Sequence, residues 1–75
     1  MSTDILHGIE EFESRWGEAT RTLERRELAL GEAMRAYRQH SDRCTTSRVA
    51  QALANHGEAA HVVESLMRTI WAKFL

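Results

Sequence analysis

Apolar residues return every seven positions through the first half of the chain. One row holds Ile9, Trp16, Leu23, Leu30 and Tyr37. A second row, three residues further on, holds Phe12, Ala19, Arg26, Ala33 and His40, with Ile5 one repeat earlier. Alternating steps of three and four keep both rows on one side of an α-helix, as in a coiled-coil seam. The remaining positions are mainly Glu and Arg. The pattern predicts a helix over about residues 4–40, roughly 55 Å long at 1.5 Å per residue, with Ser2, Thr3 or Asp4 as its cap. Arg26 interrupts the seam, and its aliphatic stem is expected to pack while its head reaches water. Gly17 and Gly31 lie inside the helix. They mark a soft point unless another backbone approaches them closely.

The pattern lapses from His40 to Ser47, a stretch without a large apolar residue. Its Ser, Thr and Asp side chains compete for backbone hydrogen bonds, which predicts a turn at about residues 41–46. Thr45, Thr46 or Ser47 is expected to cap a second helix over about residues 47–75, and no capping box selects one of them. The stripe on that helix reads Val49, Leu53, His56, Ala60, Val63, Met67, Ile70 and Phe74. Asn55-His56-Gly57 is a candidate kink. The fold expected is all-α, a single two-helix antiparallel hairpin with coiled-coil-like packing over residues 1–75.

The second helix ends with more apolar surface than one stripe can use. Val62, Val63, Leu66, Met67, Ile70, Trp71, Phe74 and Leu75 cover a broad arc. A hairpin buries one stripe per helix, so Val62, Leu66, Trp71 and Leu75 are expected to stay partly exposed. Patches of that kind mark interaction sites. The residues expected to bind a partner are Val63, Leu66, Met67, Ile70, Trp71 and Phe74, with Leu30, Met34 and Tyr37 facing them across the hairpin. Trp71 is the expected hot spot.

Composition narrows the function. The chain has 75 residues, a formal charge of −1 and no proline. A domain this short buries little surface alone and commonly relies on a disulfide, a metal or a partner. Its one cysteine, Cys44, rules out an internal disulfide and suggests a reducing compartment. The mixed charges argue against nucleic-acid binding; Arg25-Arg26 is too short a basic run, and Glu10-Glu11-Phe12-Glu13 reads as a solvated helix face. No signal segment or membrane span is visible, so a cytoplasmic location is expected. His7, His40, His56 and His61 are scattered, and no set of four zinc ligands forms. No phosphate loop or nucleophile motif is present. No catalytic residue, metal, cofactor or small-molecule substrate is expected.

The segment from Gln51-Ala52-Leu53 through Glu58-Ala59-Ala60-His61-Val62-Val63-Glu64-Ser65-Leu66-Met67-Arg68-Thr69-Ile70-Trp71 is similar to the second helix of some needle co-chaperones of bacterial type III secretion. There an acid-Ala stretch leads into aliphatics and then aromatics. That resemblance covers about a third of the chain. It implies a short helical hairpin that holds the needle subunit together with a second, repeat-type chaperone. The needle subunits are also short hairpins, but they typically carry a proline or Asn-Pro in the turn, where this chain has Ser41-Asp42-Arg43-Cys44-Thr45-Thr46. The Trp-x-Gly secretion substrates do not match, because Trp16-Gly17 lacks the intervening residue.

The function expected is therefore a small secretion chaperone or co-chaperone that shields a partner's apolar helix. The alternative is a self-associating structural subunit, a needle or a coiled-coil oligomer. A helical nucleic-acid regulator is a third, disfavoured by charge.

Overall fold

The computed structural model describes residues 2–74, with side chains from residue 7 to residue 73. Helix α1 spans Ser2–Gln39 and helix α2 spans Arg43–Phe74. They pack against each other as a hairpin 59 Å long and 17 Å by 14 Å in section. Both helices run through their internal glycines, and no described residue has positive φ. The candidate kink at Asn55-His56-Gly57 is thus ordinary helix. Adding a Cβ at Gly17 or Gly31 would meet nothing within 4 Å, so no backbone approaches either one. Helix α1 already includes Thr3 and Asp4. Its capping side chains, like Ile5 and Leu75, lie outside the described residues.

The turn is shorter than the sequence pattern predicts, residues 40–42 instead of 41–46. The cause is Asp42. Its Oδ1 accepts the Thr45 N–H at 2.8 Å, and its own N–H donates to Thr45 Oγ1 at 2.9 Å. This is a reciprocal cap with threonine in place of the usual Glu or Gln. A search for Ser or Thr as cap followed by Glu or Gln passes over it. The Thr45 hydroxyl also donates to the His40 carbonyl at 2.9 Å, and Ser41 Oγ donates to the Tyr37 carbonyl at 2.8 Å. These bonds tie the end of α1 to the start of α2.

The seam itself is built on alanine. Ala19, Ala33, Ala52 and Ala59 are the buried apolar residues among those described. Phe12, Trp16, Leu23 and Leu30 on α1, and Val49, His56, Val63, Leu66 and Ile70 on α2, are half-buried beside them. On α1 this is the predicted seam, except that Arg26 and His40 are exposed and Ile9 and Tyr37 are 37% and 43% exposed. The Arg26 side chain borders a groove with Ala29, Ala33 and Ala52. On α2 the second row is shifted by one residue. The predicted row was Leu53, Ala60 and Met67, ending at Phe74. The observed row is Ala52, Ala59 and Leu66, and Leu53 and Met67 stand 54% and 46% exposed. Small side chains explain the shift. Interaxial distance depends on the residues at the contact, and alanines facing Ala19 and Ala33 let the two backbones close up. Ala33 and Ala52 border one groove, and Ala19 and Ala59 another.

Candidate protein-interaction face

The two broad faces of the hairpin differ in chemistry. One carries the groove bordered by Arg26, Ala29, Glu32, Arg48, Gln51 and Asn55, and further along the groove bordered by Arg15, Glu18, Thr22 and Val62. Charged, amide and hydroxyl side chains border these grooves alongside the alanines. The other face is apolar. At its open end Phe12, Trp16, Met67 and Ile70 border a pocket with no polar lining. The Phe12 and Trp16 rings stack with centroids 6.1 Å apart and an interplanar angle of 18°. Leu53, Ala60 and Met67 follow one another at heptad spacing along α2, and Trp71 lies one turn beyond Met67. On α1, Leu23, Leu30 and Tyr37 continue the row from Trp16, and Met34 lies one turn beyond Leu30. Ile9, Met34, Tyr37, Leu53, Met67 and Trp71 are all exposed on this side, Trp71 at 63%.

Burial is therefore incomplete along the whole face. No large side chain among the described residues is fully buried. Complete burial of a Leu, Ile, Met or Phe side chain is worth about 1.5–3 kcal/mol. Much of that remains unclaimed in the isolated hairpin at each of these positions.

One polar contact crosses the apolar face. His56 Nε2 lies 3.6 Å from Glu27 Oε1. Glu11 with Arg15 at 2.8 Å and Glu64 with Arg68 at 2.7 Å are surface pairs within one helix and contribute little; at the turn His40 Nε2 lies 3.2 Å from Asp42 Oδ2. The Asp42 carboxyl is perturbed by its cap. The Thr45 N–H holds it below the usual range, helped by the Thr45 hydroxyl and the Cys44 backbone and opposed by desolvation. No three His, Cys, Asp or Glu side chains converge as metal ligands among the described residues. Cys44 is exposed at the start of α2, and no described helix is long and apolar enough to cross a membrane.

The residues expected to bind a partner separate into two groups. Val63, Leu66 and Ile70 are half-buried in the seam, while Met67 and Trp71 are exposed. The Phe74 side chain lies outside the described residues. Leu30 is half-buried, and Met34 and Tyr37 are 44% and 43% exposed. These three do not face residues 63–74. In an antiparallel hairpin each α1 residue faces the α2 residue equally far from the turn. Leu30, Met34 and Tyr37 sit at the turn end, level with Val49 and Leu53, and the C-terminal group meets Phe12 and Trp16 instead. Val62 is 50% exposed but lies on the polar side, away from Trp71. Ile9, Phe12, Trp16 and Leu53 thus belong to the face and were absent from the predicted set. The signal that would have found them is distance from the turn.

Compared with known protein families, curated proteins and solved structures, the chain matches none of them.

Proposed function

We propose that this chain is a protein-binding helical hairpin whose apolar face packs on helices of another polypeptide and keeps them from aggregating. The observation that carries the reading is the exposure of Met67 and Trp71 beside the all-apolar pocket of Phe12, Trp16, Met67 and Ile70. Helix-against-groove packing supplies affinity through such anchors, and the opposite, polar face keeps the complex in water. The reading gives the chain no catalytic role and no cofactor. It places the chain in the cytoplasm, where an exported partner would be held before release.

The narrower assignment is to the small chaperones and co-chaperones of type III secretion. It rests on the similarity of residues 51–71 to the second helix of needle co-chaperones, and the two-helix architecture supports it. Affinity purification of the tagged chain from the cells that make it, beside a Met67→Glu variant, tests both levels. A protein retained by the native chain and lost by the variant supports the binding role, and its identity as a needle subunit or a repeat-type chaperone supports the assignment. Equal retention by both forms refutes the role given to this face.

A further inference from the structure

The apolar face is laid out symmetrically about its own midpoint. On α1, Trp16 and Leu30 stand seven residues either side of Leu23, and Ile9 and Tyr37 stand fourteen either side. On α2, Met67 and Leu53 stand seven residues either side of Ala60. Leu23 and Ala60 are themselves level across the hairpin, because Glu27 and His56, each four residues nearer the turn, touch. One centre therefore serves both helices. A two-fold axis through it, lying along the face, sets α1 on α1 and α2 on α2 in antiparallel pairs. Trp16 then meets Leu30 of the other copy, and Met67 meets Leu53. Self-complementarity of this kind is what an isologous interface requires.

Charge and area agree with that arrangement. Glu27 and its counterpart would lie about 12 Å apart along the bundle, at 1.5 Å per residue, and each already has His56 as a neighbour within its own hairpin. No charged residue sits at the centre, where Leu23 and Ala60 would meet their own copies. The hairpin is 59 Å by 17 Å in outline, about 1,000 Å² for a whole broad side, of which the apolar strip is a part. A standard stable interface takes about 800 Å² from each partner.

We infer that the apolar face is closed by a second copy of this chain, face to face and antiparallel, in a two-fold four-helix bundle. The inference rests on the protein-binding reading of the same face, and a client and the second copy compete for it. Sedimentation equilibrium of the full chain tests it, together with oxidative cross-linking of Ala60→Cys in a Cys44→Ser background. The expected mass is twice the 8.6 kDa of the chain. Leu53→Glu, at a position 54% exposed in the hairpin, keeps its helix content by circular dichroism and raises the dimer dissociation constant at least about tenfold. Cysteine at position 60 cross-links to its own copy, whereas native Cys44, carried to opposite ends of the bundle, does not. Cross-linking through Cys44 alone overturns the antiparallel arrangement, and open-ended growth overturns the closed one. A monomer with Trp71 open to quencher overturns the dimer and leaves the protein-binding reading standing. A monomer with Trp71 shielded overturns both.

Discussion

Ala33 of α1 and Ala52 of α2 are buried to 3% and 8% exposure and border the same groove. With Ala19 and Ala59 they set how closely the two helices approach. A larger side chain in this row has to push the helices apart or leave its rotamer well, and overpacking of that kind costs about 1–3 kcal/mol. Ala59→Leu is therefore expected to destabilise the hairpin by that amount in urea unfolding. Leu53→Ala, one residue beyond the row, is expected to cost less than about 1 kcal/mol at protein concentrations low enough for the chain to be monomeric. The reverse ranking would restore the seam predicted from the Leu53, Ala60 and Met67 stripe.

The Asp42 cap gives the turn a pH dependence of known sign. The Thr45 N–H bond lowers the folded carboxyl below its ordinary value of 3.8, so protonation favours the unfolded chain. The contribution is complete above the unfolded value and is lost as pH falls through the lower folded one. Thermal unfolding followed by circular dichroism should show Asp42→Ala melting several degrees below the native chain at neutral pH. The gap should narrow under acid conditions. A gap that stays constant through the acid range would show that the charged cap is not what holds the turn.

Gly17 and Gly31 are helical, and an added Cβ finds open space at both. Alanine at either position is expected to stabilise the hairpin by about 0.5–1 kcal/mol, because it removes backbone freedom from the unfolded chain. Urea titration of the single and double variants measures this, with near-additive effects at sites so far apart. A loss of stability at Gly31 would instead reveal a contact made through that glycine.

Trp71 is 63% exposed in the hairpin and so contributes little to its own fold. In a complex it is expected to act as an anchor. Trp71→Ala should leave helix content unchanged and weaken partner binding by about 2 kcal/mol or more. Isothermal titration with the purified partner gives the number, and unchanged affinity would remove Trp71 from the interface.

The helices were legible because their seven-residue periodicity and freedom from proline agree over nearly the whole chain. The Trp16, Leu23 and Leu30 row on α1 was legible for the same reason. The α2 row was not. Periodicity alone cannot choose between Leu53 and Ala52, adjacent positions on a broad apolar arc, and hydrophobicity favours the larger residue. Close approach of two backbones favours the smaller, and that preference exists only once a partner helix is present. The excess of apolar surface near Trp71 was visible as composition. Its continuation through Leu53 and Met34 to the turn end was not, because it depends on which side of each helix the alanine row turns outward. Pairing Leu30, Met34 and Tyr37 with residues 63–74 failed for a simpler reason: after so short a turn, they can only lie level with the start of α2.

On the proposed function, the apolar side chains exposed along one side of the hairpin are a binding surface. Tryptophan quenching by acrylamide, followed through a dilution series with a hydrophobic dye present, addresses that directly. At low concentration Trp71 should be open to quencher and the dye should fluoresce, and both signals should fall as protein or partner is added. A chain that stays monomeric at every concentration, with its tryptophans shielded and no dye bound, would contradict the account.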